Sequence, residues 1–255
     1  MSTELFQPSR RRFARFLSVA VGAAAAAPFA FATDLKSGAK TGAKTGAKLG
    51  SNTALIVVDV QNCFVTGGTL PVKDGEAIVP LINTLAKGFK NVVITQDWHT
   101  PGHVSFASAH AGKKPFEVTK LAYGTQVLWP DHCVQGTKDA SLHADLNIPH
   151  AQLIVRKGFH AHTDSYSAFE EADRKTGTGL GSYLKERGIN TVYVVGLATD
   201  FCVAWTAMDA RKKGLTTYVI EDACRAIDLN GSLAAAWKQM AAKGVKRIKL
   251  ADMAA

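Results

Sequence analysis

Three residues in this sequence stand where covalent chemistry would need them: Cys202, Asp59 and Lys157. The stretch Gly196-Leu197-Ala198-Thr199-Asp200-Phe201-Cys202-Val203 joins a buried apolar run to a helical pattern that opens on the cysteine. A thiol there faces the positive end of a helix dipole, a position that lowers its pKa below the usual value of about 8.5. Backbone N–H groups of the same turn can be aimed at a developing oxyanion. Taken alone, a cysteine in a buried apolar helix is more often a packing residue. Asp59 ends the run Leu55-Ile56-Val57-Val58, where a carboxylate is costly to bury unless it is paired. Lys157 follows Leu153-Ile154-Val155-Arg156 and supplies a cation. An Asp–Lys pair serves equally well as a structural ion pair. With a thiol beside it, the set becomes a nucleophile, a base for its proton and an ammonium that stabilises both anions.

A second constellation has the composition of a metal site. Asp97 and His99 share one extended segment, His103 follows within a short loop, and His132 comes from the distant Trp129-Pro130-Asp131-His132. A mixed nitrogen and oxygen set of this kind suits zinc first, with manganese or iron as alternatives. One histidine on a loop is ordinarily just solvated, whereas three with an aspartate favour an ion. His110, His143, His150, His160 and His162 have no comparable spacing and are read as surface or loop residues.

Positioning these residues requires a scaffold, and the pattern from Ala54 onward supplies one. Short β-branched runs at Ala54–Val58, Val92–Thr95, Leu153–Val155, Val192–Val195, Thr217–Ile220 and Val245–Ile248 read as strands. Helical patterns cover Ala77–Phe89, Leu180–Arg187, Cys202–Lys213 and Ser232–Lys243. The alternation predicts an α/β class, a three-layer doubly wound fold around a mainly parallel six-stranded sheet. The candidate residues follow the first four strands, so they collect at the carboxyl edge, where ligands bind in open α/β sheets.

With 255 residues, 47% of them apolar, the chain supports one core-bearing domain. Its formal charge of +9 is uneven: the first fifty residues hold eight Lys/Arg against two Asp/Glu, leaving +3 for the rest. The globular part has no basic stripe interleaved with aromatics, which argues against a nucleic-acid partner. Cys63, Cys133, Cys202 and Cys224 are scattered and form no C-x-x-C pair. They do not read as a disulfide scaffold, and at least one is expected to be kept for reactivity. Ser9-Arg10-Arg11-Arg12-Phe13-Ala14-Arg15, an apolar run from Phe16 to Ala27 and then Ala30-Phe31-Ala32 resemble a twin-arginine signal with its cleavage site. The apolar run falls short of the roughly 20 residues of a spanning helix, so no stable membrane anchor is expected; an uncleaved anchor is the alternative. Residues 1–32 are thus expected to be a leader read by the twin-arginine export machinery, delivering a periplasmic protein. Residues 33–52 read as a flexible Gly/Ala/Lys linker and residues 53–255 as the core-bearing domain.

Together the motifs resemble a known family. Asp59-Val60-Gln61-Asn62, Gly67-Gly68, Thr95-Gln96-Asp97-Trp98-His99, His103-Val104-Ser105-Phe106-Ala107-Ser108 and Trp129-Pro130-Asp131-His132-Cys133-Val134-Gln135 match nicotinamidases of the isochorismatase-like cysteine hydrolase family. So do Lys157-Gly158, Asp164-Ser165-Tyr166-Ser167-Ala168-Phe169 and Gly196–Val203, and the matches run in order from Thr53 to about Lys249. The resemblance implies hydrolysis of nicotinamide to nicotinate and ammonia through a thioester on Cys202, with Asp59 transferring protons and Lys157 as its charged partner. Pyrazinamide is implied as a further substrate. It also implies one divalent metal on Asp97, His99, His103 and His132 that anchors the pyridine ring, and packing of Phe64, Trp129 and Tyr166 on that ring. A cis peptide between Leu197 and Ala198 and an oxyanion hole from the N–H groups of Ala198 and Cys202 are implied as well. One departure stands out: Cys63 occupies a place where the family usually has an acidic residue, which is expected to alter support for the site and puts a second thiol near Asp59. The rival readings are a relative acting on another small amide or on isochorismate, and an exported protein that binds nicotinamide or metal without turnover. The metal set argues against isochorismate, and the nucleophile set argues against a mere binder.

Overall fold

The computed structural model describes residues 49–253. The expected leader at 1–32 and the linker as far as residue 48 lie outside the described residues. Six strands form one sheet: β1 (Thr53–Val58), β2 (Asn91–Asp97), β5 (Leu153–Lys157), β6 (Thr191–Leu197), β7 (Thr216–Arg225) and β8 (Lys246–Ile248). Their order is β5-β2-β1-β6-β7-β8 and every neighbouring pair is parallel. All positions of β1 and β2 are buried, because a parallel strand in the middle of a sheet is covered on both faces. At the edge, β5 alternates between buried and exposed residues. The helices are α1 (Val79–Ala86), α2 (Leu180–Glu186), α3 (Ala204–Lys212) and α4 (Ser232–Ala242). No helix among the described residues is long and apolar enough to cross a membrane.

The expected α/β architecture is present, and its strands and helices differ from expectation mainly at their ends. Pro80 sits in the first turn of α1, the one place where its missing N–H costs nothing, and the preceding Gly75–Ile78 winds as a 3-10 turn. The helix expected to open at Cys202 opens instead at Ala204, behind a wider π-type turn over Thr199–Val203. Such turns recur at functional sites. An antiparallel hairpin, β3 (Val118–Leu121) with β4 (Gly124–Val127), was not expected. Of its strand positions only Gln126 is buried, so no buried periodicity marks them.

The order of the strands places the switch point between β1 and β6. The chain runs outward from β1 to β2 and β5, then returns to the other side of β1 to lay down β6, β7 and β8. Connections that leave in opposite directions open a crevice at the carboxyl ends of those two strands. Gly196 brings β6 close there: it pairs with Val58, has φ +118, and any Cβ on it would lie 2.1 Å from the Val58 carbonyl oxygen. Only glycine fits that approach. The next peptide, Leu197–Ala198, is cis.

Candidate active site

Asp59, Lys157 and Cys202 converge in that crevice from three different strands. Lys157 Nζ lies 2.8 Å from Asp59 Oδ2 and 2.7 Å from Asp97 Oδ1, and it donates to Cys202 Sγ at 3.3 Å and to the Ser165 carbonyl at 3.1 Å. Ligand atoms of Asp59, Asp97 and Cys202 lie within 4.8 Å of one another. Asp59 sits at φ +48, a left-handed turn that aspartate tolerates better than most residues. Thr95 Oγ1 donates to Asp59 Oδ1 at 2.5 Å. The opposite oxygen, Oδ2, faces Lys157 but takes part in no well-directed hydrogen bond, so it is placed to accept a proton.

The electrostatics correct one expectation. Burial pushes the Cys202 thiol well above its ordinary range; Lys157 pulls it back, while Asp59 and Asp97 push it further up. Burial is the largest of these effects. The resting nucleophile is therefore a neutral thiol that needs a base at the moment of attack. Burial also raises Asp59, with Lys157 opposing and Asp97 reinforcing, and a raised carboxylate is a better proton acceptor. For Asp97, burial acts upward, but Lys157 and His99 outweigh it and hold the carboxyl well below its usual value. Lys157 stays charged: burial disfavours its ammonium, and Asp59, Asp97 and Cys202 more than offset that.

The metal-type residues can be tested by the direction of their lone pairs. His99 Nδ1 is 2.9 Å from the Gly158 carbonyl, and His132 Nδ1 is 2.8 Å from the Pro130 carbonyl. A carbonyl only accepts, so both rings carry a proton on Nδ1 and turn Nε2 inward as the nitrogen that could bind a metal. Those two Nε2 atoms face the same oxygen, Asp97 Oδ2, at 3.4 and 3.7 Å. Three buried groups of ligand type turned on one point suit a cation between them, and outer carbonyls that orient imidazoles are the usual support of such a centre. The residues fit a divalent metal. Gly158 is essential to this arrangement, since with φ +67 a Cβ would lie 2.5 Å from His99 Cε1.

His103, expected as a fourth ligand, groups with His99 and Asp164, their ligand atoms lying within 4.8 Å of one another, rather than directly with Asp97 and His132. Its ring packs 4.4 Å from that of His99, but Nε2 faces the carbonyls of His160 and Thr163 at 3.0 and 3.2 Å, which makes it the protonated nitrogen. Nδ1 pairs with Ser105 Oγ at 2.7 Å. Both nitrogens are occupied, and burial followed by the neighbouring His99 drives the ring down to about 4. The His103 ring thus packs beside His99 with both nitrogens hydrogen-bonded. Beside these residues lies a small cleft whose lining includes Phe64, Trp129, Tyr166 and Phe201 together with Cys202 and Asp97.

This geometry accords with the family model that the sequence matches, the isochorismatase domain, over residues 53–252. The chain belongs to the isochorismatase family. Among curated relatives it is similar to the nicotinamidase of Acinetobacter baylyi, 65% identical over 198 residues that cover 78% of this chain and 92% of the relative. Among solved structures it is similar to the Acinetobacter baumanii nicotinamidase pyrazinamidase, with TM-score 0.80, 66% identity, and 81% and 100% of the two chains covered. PnC1 from L. infantum in complex with nicotinate follows at TM-score 0.70 and 38% identity, covering 80% of this chain and 96% of that one. The pyrazinamidase of Pyrococcus horikoshii in complex with zinc matches at TM-score 0.65 and 34% identity, covering 78% and 99%.

Within this isochorismatase-family fold several supporting residues escaped the sequence reading, although they lie inside the quoted motifs. Gln61 accepts from the Asp97 N–H and donates to the Asp97 carbonyl, all at 2.8 Å, and so fixes the backbone that carries the ligand. Asp200 accepts from the N–H groups of Ile227 and Asp228 and from Ser232 Oγ, which pins the 227–232 segment over the cleft. Asp164 also lines the cleft and receives Gln126 Nε2 at 2.7 Å. Cys63 and Cys133 correct the cysteine reading. They are joined in a disulfide with Cα atoms 5.6 Å apart, so Cys63 is no second thiol, while Cys202 and Cys224 remain free. Their partners lie 70 residues apart, and sequence separation carries no sign that two loops meet.

Proposed function

We infer that the protein hydrolyses nicotinamide to nicotinate and ammonia, and the observation that carries this is the Lys157 ammonium, which touches the thiol, the base and the metal-type carboxylate together. Asp59 takes the proton of Cys202 as the sulfur attacks the carboxamide carbon. Backbone N–H groups of Ala198 and Cys202 receive the negative oxygen of the tetrahedral adduct. Asp59 returns its proton to the departing ammonia, leaving a nicotinoyl thioester. Water, deprotonated by Asp59, cleaves the thioester to nicotinate and restores the thiol. Lys157 keeps both anions stable throughout. A divalent ion on Asp97, His99, His103 and His132, zinc first, would supply when bound a positive point for a pyridine nitrogen. Phe64, Trp129, Tyr166 and Phe201 sandwich the ring and exclude bulk water. Pyrazinamide keeps the carboxamide and the ring nitrogen and is the natural second substrate.

Export is part of the same reading. Residues 1–32 act as a twin-arginine leader and the mature enzyme is periplasmic, which the ordered charge, apolar run and Ala30-Phe31-Ala32 site support. A buried disulfide in the catalytic domain also supports an oxidising compartment. The test is ammonia release from nicotinamide by purified protein, alone, after treatment with a chelator, and as Cys202→Ala. Rapid release that falls to a few per cent in both altered samples is expected. No release from the untreated enzyme would leave a binding protein, and full release by Cys202→Ala would remove the thioester.

A further inference from the structure

We propose that the Cys63–Cys133 disulfide positions the metal ligand His132, so that the metal affinity of the enzyme depends on the oxidation state of this pair. The inference rests on the metal-site reading above. Asp97 ends a central strand and His99 stands two residues beyond it, but His132 comes from the irregular segment between Val127 and Leu153. Cys133 directly follows His132 and is covalently tied to Cys63. Cys63 in turn stands between Gln61, which clamps the Asp97 backbone, and Phe64, whose ring packs edge-on against His132 at 5.7 Å. The bond thus fastens the His132 loop to the segment that already holds the first ligand.

Further contacts tie the loop to the ligand-bearing segments around this junction. Asp139 bridges the two halves: its carbonyl accepts from the Cys63 N–H at 2.8 Å and its Oδ2 from the Cys133 N–H at 3.1 Å. The Cys133 carbonyl accepts from the His99 N–H at 3.1 Å, so a displaced Cys133 disturbs two ligands together. Cys133 adopts φ +47, a left-handed conformation unfavourable for a non-glycine residue, which the surrounding ties must enforce. Both cysteines are fully buried. A reductant reaches the sulfurs only when the loop opens, so the bond acts as a durable staple set where the protein matures. In forming it, the two thiols lose two protons and two electrons to an external disulfide, which leaves as two thiols.

Two measurements test this without using substrate. In denatured protein purified from an oxidising compartment, thiol titration should find two free thiols of the four cysteines. Zinc affinity is then measured by competition with a chromophoric chelator for the oxidised wild type, for wild type reduced in mild denaturant and desalted under nitrogen, and for C63A/C133A. Outer-sphere support is typically worth about 10- to 100-fold in metal affinity, and a weakening of that size is expected in the reduced and the double-variant proteins. A staple serving only global stability would lower the melting temperature and leave zinc affinity unchanged, which would overturn the proposal, as would four titratable thiols in the oxidised protein. If C63A/C133A fails to fold, the reduced wild type decides. Failure of the amidase reading shows separately, as absent ammonia release by wild type that still binds zinc.

Discussion

Lys157 is the residue through which the nucleophile and the metal site communicate. It is fully buried and its one positive charge faces Asp59, Asp97 and Cys202, so its loss would strand two carboxylates in the core, a change that typically costs about 3–5 kcal/mol. The pH response follows from the same cluster. Asp59 works as an anion, and burial, opposed by Lys157 and reinforced by Asp97, holds its pKa above the ordinary carboxylate value. Lowering the pH through that raised value protonates the base, so kcat/KM is lost on the acid side at a pH above the roughly 3.9 of a free aspartate. The limb belongs to the coupled cluster rather than to one residue. A profile that stays flat down to the free-aspartate range would remove Asp59 as the base. The metal-type set makes a second prediction: His132→Ala and His103→Gln both lose bound metal. Metal content after gel filtration reads each variant, and full retention by His103→Gln would remove it as a ligand.

Among the elements, the β1–β6 junction sets the distance between base and nucleophile. A Cβ at Gly196 would meet the Val58 backbone oxygen, nitrogen and carbon, all under 3 Å, and backbone cannot rotate away as a side chain can. Gly196→Ala therefore has to push β6 from β1, at a cost of about 3 kcal/mol by analogy with overpacked cores, and moves Cys202 relative to Asp59. Both a lower unfolding midpoint in urea and a fall in kcat larger than the change in KM are expected. A variant with wild-type stability and kcat would show that the junction is more compliant than its packing implies. By contrast, the same substitution at Gly214, where a Cβ meets nothing within 4 Å, costs only the strain of φ +87 and leaves kcat alone.

For the whole molecule, the leader and the site meet in one question: where the fold closes. A twin-arginine route carries folded protein, which would enclose Cys202 and load the metal before the chain meets an oxidising compartment. Replacing Arg10, Arg11 and Arg12 with Lys keeps the charge but loses the planar guanidinium. Active enzyme stranded in the cytoplasm is the expected outcome, read by ammonia release from fractionated cells. Normal periplasmic yield of the triple variant would end the twin-arginine reading and leave the amidase intact.

The sequence by itself determined the class of fold, because runs such as Leu55-Ile56-Val57-Val58 are too apolar and β-branched to lie anywhere but in a doubly covered sheet. It also determined the edge where chemistry collects, since Asp59, Asp97, Lys157 and Cys202 all follow strands that prove to be parallel. Tertiary structure alone decided how the metal-type residues group, Asp97, His99 and His132 meeting at one point and His99 meeting His103 and Asp164 beside it. It alone decided that Cys63 meets Cys133, and that burial raises the Cys202 thiol. The reason is common to all three. Residue type and spacing fix what a group can donate or accept, but lone-pair direction, loop-to-loop distance and dielectric depend on neighbours that are remote in the chain.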